Sequence, residues 1–302
     1  MKAGFNLLLW TTHVTDNHGH LFEKLKAAGY DGVEIPLFEG DEKHFRNLSK
    51  QIRSAGLKTT TVTVIPDANR SCLSSDRQVQ QRALDYMKWA IDCSAALKSE
   101  VLCGPFYHPL AEFTGRGATK AEKVNCAIVH KQAAQYAAKA KVKLAVEPLN
   151  RFECYFLNTM ADAAALAKAV DEPNYGYLFD TFHSNIEEKS QPKSIKATAA
   201  QINHVHISAN DRGTPGADHN NYASIFAELR AGGYDGWLTV EAFGHALPAL
   251  AAATKVWRPL FRRPEDVYNG AAKLIREGWK AAKPVAAAPR EAAARKSAKR
   301  KR

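Results

Sequence analysis

Four residues able to hold a metal ion or move a proton close four apolar, β-rich runs in the second half of the chain. Glu147 ends LAVE, Asp180 ends YLFD, His206 lies within HVHIS, and Glu241 ends LTVE. Alternate side chains of a strand share a face. Ala145 therefore shares a face with Glu147, opposite Leu144 and Val146, and Leu178 shares one with Asp180, opposite Tyr177 and Phe179. By the same rule His204, His206 and Ser208 oppose Val205 and Ile207, and Thr239 and Glu241 oppose Leu238 and Val240. The apolar faces would pack outward, and the polar faces would meet in one mouth. Three carboxylates and an imidazole in a poorly solvated mouth repel one another unless a cation joins them. Hard oxygens with one nitrogen favour Mn²⁺, Mg²⁺ or Co²⁺ over a structural zinc site. Each residue alone reads as a solvated loop carboxylate or a satisfied histidine. Their recurrence on consecutive strands carries the metal reading.

Such side chains need a frame, and the chain supplies a repeating one. Strand signals at 5–10, 32–37, 58–65, 100–106, 143–149, 175–183, 202–209 and 236–243 alternate with helical segments, among them 20–29, 45–56, 76–97, 119–139, an Asn158-capped stretch and 264–280. Strands separated by helices pair in parallel through right-handed crossovers. Eight such units in residues 1–280 predict a single-domain (β/α)8 TIM barrel, with function at the carboxyl ends of its strands. An open doubly wound sheet is the alternative, but no GxGxxG follows the first strand and no GxxxxGK[ST] occurs. AAGYDGVEI (27–35) and AGGYDGWLTVE (231–241) echo each other: a helix stops at Gly, a YDG turn follows, and a strand delivers Glu34 or Glu241.

Composition excludes other classes. The 302 residues are 45% hydrophobic and 24% charged, ordinary globular values. The net charge of +11 is uneven: residues 281–302, an Ala/Lys/Arg-rich stretch, hold +7 and leave +4 on the body. That tail predicts a disordered appendage, and the nearly balanced body argues against a specific nucleic-acid partner. The five cysteines form no CxxC pair, which points to a reducing, cytoplasmic setting. No apolar run approaches the ~20 residues of a membrane helix.

AVEPLNRFE around 147–153, FDTFHSNIEE at 179–188, HVHISANDR at 204–212, GYDGWLTVEAF at 233–243 and KVWRPL at 255–260 together resemble the ketose 3-epimerases. This D-tagatose/D-allulose/L-ribulose 3-epimerase group belongs to the xylose-isomerase-like TIM barrels. The resemblance spans nearly the whole body and is weakest in the first four strands. It implies Glu147, Asp180, His206 and Glu241 as ligands of one divalent ion per subunit (Mn²⁺, Co²⁺ or Mg²⁺). It also implies Glu147 and Glu241 as the proton-transferring pair, and Glu153, His183 and Arg212 as groups that hold sugar oxygens. The partner would be a free ketose, and the assembly a homodimer or homotetramer.

The chemistry of C3 epimerisation asks for the same parts. A proton leaves one face of the carbon beside a ketone and one returns to the other face, through a cis-enediolate. A cation at the C2 and C3 oxygens and two carboxylates able to exchange acid and base roles would serve. A related sugar or hydroxypyruvate isomerase, or an inosose dehydratase, is the alternative on the same metal mouth. His183 otherwise reads as a turn histidine, and Arg212 as a surface partner of Asp211. Trp10, Phe106 and Tyr107 fit either an aromatic pocket wall or the core.

Overall fold

The computed structural model describes residues 1–283. Eight parallel strands close in chain order into a barrel: β1 Lys2–Asn6, β2 Gly32–Pro36, β3 Lys58–Val62, β4 Val101–Gly104, β5 Lys143–Val146, β6 Tyr175–Asp180, β7 Ile202–Ile207 and β8 Trp237–Val240. Around them lie α1 Gly19–Ala27, α2 Glu42–Ser54, α3 Arg77–Ala96, α4 Lys120–Lys139, α5 Met160–Val170, α6 Thr181–Glu187, α7 Gln191–Thr198, α8 Tyr222–Ala231, α9 Pro248–Ala253 and α10 Pro264–Ala281. This is the expected (β/α)8 architecture.

The alternation read from the sequence sorts the two cores. Leu144, Val146, Tyr177, Phe179, Val205, Ile207, Leu238 and Val240 join the layer between sheet and helices, while Val62, Cys103, Ala145, Leu178 and Trp237 cluster inside the barrel. Trp237 is accommodated because two neighbouring strands carry no side chain beside it. A Cβ on Gly32 would come within 2.5 Å of the indole, and one on Gly4 within 3.3 Å of it.

The two YDG echoes fold alike. Gly29 and Gly233 take φ of +94° and +79°, where glycine is least strained. Tyr30 N–H then reaches Leu25 O at 3.1 Å, and Tyr234 N–H reaches Leu229 O at 2.9 Å. These bonds satisfy carbonyls left open at the ends of α1 and α8.

Side chains set several strand ends that hydrophobicity misplaced. The first strand stops at Asn6, whose Oδ1 accepts the N–H of Leu8 at 2.9 Å and turns Leu7–Leu9 into a 3-10 turn. The sixth stops at Asp180, whose carboxylate caps α6, so that His183 sits on a helix rather than in a turn. The cap of α5 is Thr159, with Asp162 completing a capping box, and not Asn158; the Asn158 amide instead donates to Leu149 O and Cys154 O. Trp10, Phe106 and Tyr107 all join the outer core. The five cysteines are free and buried. Among the described residues no helix is long and apolar enough to cross a membrane. The basic tail lies outside the described residues except for its first three; Ala281 ends α10, and Ala282 packs on the core.

Candidate active site

The ends of β5 to β8 bring four side chains together. One ligand atom from each of Glu147, Asp180, His206 and Glu241 lies within 4.8 Å of the others, and all four residues are buried. Backbone pairing delivers two of them: Glu147 N–H bonds Gly104 O at 3.0 Å, and Glu241 N–H bonds Ile207 O at 3.2 Å. Asp180 divides its carboxylate, Oδ1 accepting the N–H groups of Phe182 and His183 and Oδ2 facing the cluster. His206 Nδ1 has no hydrogen-bond partner, although Asp180 Oδ2 lies 3.6 Å away and Glu241 Oε1 3.5 Å. A buried imidazole nitrogen left unpaired among carboxylate oxygens is what a cation's ligand set supplies, and these donors fit the Mg²⁺, Mn²⁺ and Co²⁺ class.

Electrostatics agrees. Burial, and then Glu241, pushes the Glu147 carboxyl well above the carboxylate range. Burial pushes Glu241 up to about 7, against the opposing charges of His206 and Arg212. Asp180 is held low: burial opposes its charge, but His206, His183 and Arg212 outweigh it. A divalent ion would relieve the repulsion and lower both glutamates.

The remaining three candidates surround the same space. Arg212 is 3% exposed, and its guanidinium lies 3.8 Å over the Phe182 ring and 5.0 Å from that of Phe243. Its Nη1 donates to Glu241 Oε2 at 2.6 Å, and its Nη2 lies 3.7 Å from Glu153 Oε1. Asp211 instead faces Arg258 at 3.8 Å, so Arg212 is not a surface partner of its neighbour. Arg212 has φ of +69°, a strained backbone for a side-chain-bearing residue. Asn150 N–H donates to His183 Nδ1 at 2.9 Å, and Arg212 Nη2 donates toward His183 Nε2 at 3.0 Å, that nitrogen lying 3.6 Å from Glu147 Oε1. Burial, then Arg212, lowers His183 to about 4. Asn150 also donates to Glu153 Oε1 at 2.9 Å, making it the hub of the loop after β5.

These groups open on a cavity of about 210 Å³ whose other walls include Leu8, Phe38, Val62, Val64, Leu110 and Phe243. That is below the ~300–1,000 Å³ of drug-sized sites, so its occupant is small. A larger groove of about 410 Å³ over α2, lined by Lys43, Arg46, Lys50 and Arg53, holds no carboxylate or histidine. Sequence reasoning missed Asn150, Phe182 and Phe243 because each acts through a partner distant in sequence or on another strand. An Asn between two chemistry-bearing residues of EPLNRFE was the one available signal.

Comparison with known proteins places this geometry. The profile described as xylose isomerase-like TIM barrel matches residues 22–284. A Synechocystis sp. protein named probable ketose 3-epimerase is 32% identical, over 92% of this chain and 97% of its own length. The fold superposes on a solved L-ribulose 3-epimerase with a TM-score of 0.87 at 26% identity, covering 93% of this chain and 95% of that one. A D-allulose 3-epimerase from Methylomonas sp., solved in complex with D-allulose, gives 0.84 at 27% identity, covering 92% and 96%.

Proposed function

We propose a substrate and a mechanism for a chain that belongs to the xylose isomerase-like TIM barrel family and, within it, to the ketose 3-epimerases. The reaction is inversion of C3 in a free ketohexose or ketopentose of the D-fructose/D-allulose, D-tagatose or L-ribulose type. The observation that carries it is the meeting of buried Glu147, Asp180, His206 and Glu241, with ligand atoms within 4.8 Å of one another, around an unpaired His206 Nδ1.

Glu147, Asp180, His206 and Glu241 would hold one Mn²⁺, Co²⁺ or Mg²⁺, which would supply Lewis-acid stabilisation of the negative charge that develops on the ketose oxygens. One glutamate carboxylate takes the C3 proton, and the other, in its acid form, returns a proton to the opposite face. Reversal of direction exchanges the roles, so each needs a pKa near the working pH. Their neighbours differ: Glu241 is held by Arg212, whereas Glu147 lies 3.6 Å from His183 Nε2. His183 and Arg212 hold sugar oxygens, and Glu153, kept ionised against burial by Arg212 and His183, accepts from a hydroxyl. The apolar walls limit water around the intermediate.

The five buried thiols suit a reducing, cytoplasmic setting. The exposed side chains of Phe113, Val124, Ile128 and Phe152 offer apolar surface that a homodimer or homotetramer would cover.

The test is product identity in deuterated water. With D-fructose and Mn²⁺ the expected product is D-allulose carrying deuterium at C3, and chelation should abolish the reaction and lower Tm. An aldose product with exchange at C1 would mean a 1,2-isomerase. Full activity and an unchanged melt in EDTA would remove the cation from the mechanism.

A further inference from the structure

Deeper in the barrel lies a polar cluster that this mechanism does not use. Glu34 of β2 is fully buried, in register with Asn6 of β1. Its Oε1 accepts from His206 Nε2 at 2.7 Å and Asn6 Nδ2 at 3.0 Å. Its Oε2 accepts from His204 Nε2 at 2.9 Å, Thr60 Oγ1 at 2.9 Å and Cys103 Sγ at 3.4 Å. Asn6 Nδ2 also reaches Glu241 Oε1, at 3.3 Å. Only an ionised carboxylate accepts from so many donors at once, and an ionised carboxylate offers no proton in return. His206 must therefore carry its own proton on Nε2, the nitrogen that faces Glu34. Its other nitrogen, Nδ1, is the one left unpaired among Asp180 and Glu241.

We propose that Glu34 is a positioning residue for the cation site: it fixes the tautomer and ring orientation of His206, and through Asn6 it holds Glu241. The proposal rests on the cation reading above. A carboxylate behind a ligating histidine strengthens that ligand, and losing such a partner typically weakens metal binding ~10- to 100-fold. The arrangement also accounts for the YDG echo, which sends a glutamate up the strand on each side of β1: Glu34 supports the site and Glu241 forms part of it.

Two measurements test this. In Mg²⁺-loaded wild-type protein, ¹H–¹⁵N correlation of the histidine side chains should place the His206 proton on Nε2. Glu34→Gln replaces one acceptor oxygen with an NH₂ that faces donors. It should weaken calorimetrically measured Mn²⁺ binding ~10- to 100-fold and shift the visible spectrum of the Co²⁺ form, while His204→Asn should leave both nearer wild type.

A His206 proton on Nδ1 would overturn the proposal, and would do so even if Glu34→Gln failed to fold. So would a folded Glu34→Gln with wild-type Mn²⁺ affinity and Co²⁺ spectrum; either result leaves the cation reading standing. A second equivalent of Zn²⁺ bound by wild type and lost in Cys103→Ser would make Glu34 a ligand rather than a positioning residue. Wild type binding no Mn²⁺ at all would remove the cation reading, and this proposal with it.

Discussion

The two halves of the barrel mouth are made of different chemistry. Strands β5 to β8 end in Glu147, Asp180, His206 and Glu241, with Arg212 packed between the rings of Phe182 and Phe243. The first four strands and the loops after them contribute Leu8, Phe38, Val62, Val64 and Leu110 to the same cavity. One half can hold charge and move protons, and the other can only shape and dry the space. Such a division lets the wall vary without disturbing the chemistry. Glu34 is the exception that links the halves, since it stands on β2 yet bonds His206 of β7.

The division breaks first, and most severely, if the glutamates are not the bases. Glu147→Gln or Glu241→Gln should lower kcat by at least ~10²- to 10⁴-fold at saturating Mn²⁺, the usual cost of losing general acid or base catalysis. Steady-state rates on D-fructose, with bound metal counted in the same samples, check this.

The apolar half should respond differently. Phe38→Ala should change the ratio of kcat/KM for D-fructose against L-ribulose by ~10-fold, the scale of a hydrophobic pocket contact, with Mn²⁺ affinity unchanged. A loss of kcat as large as that of the glutamate variants would place chemistry in this half as well.

The effect most remote from catalysis, one on stability alone, concerns a histidine that faces neither half. His130 of α4 is buried, with Nδ1 2.6 Å from Tyr175 Oη, and burial lowers it to about 4. Its folded pKa is below its unfolded value of ~6.5, so the unfolded chain binds the extra proton between those values. Stability from this residue is complete above pH ~6.5 and is lost as pH falls toward 4, by up to roughly 3 kcal/mol. His130→Gln should flatten that part of the Tm profile of the metal-free protein, and identical slopes for the two proteins would refute the assignment.

The reading of the sequence succeeded where a polar residue interrupts an alternating apolar pattern, because period two fixes which face a side chain takes. Ala145 with Glu147, and Leu178 with Asp180, are examples, and the eight-unit rhythm followed from the same signals. It failed where position depends on loops. Phe38 and Leu110 reach the cavity from segments outside the eight strand signals, whereas Phe106 and Tyr107, which had the right chemistry for a wall, turn into the outer core. Strand ends were misplaced where Asn6 and Asp180 cap the turn that follows, a local competition that hydrophobicity does not register. The Arg212 contacts to Glu241 and Glu153 join residues far apart in the chain, and only the closed barrel brings them together.

The most direct test of two bases on opposite faces is face-resolved exchange. In deuterated water with Mn²⁺ bound, each Glu→Gln variant should retain C3 proton exchange in one epimer, the one whose proton faces the remaining carboxylate, without forming the other epimer. Glu147→Gln and Glu241→Gln should retain it in opposite epimers. If both variants, shown to hold metal, interconvert the epimers at wild-type rates, the two-base mechanism is wrong for this protein.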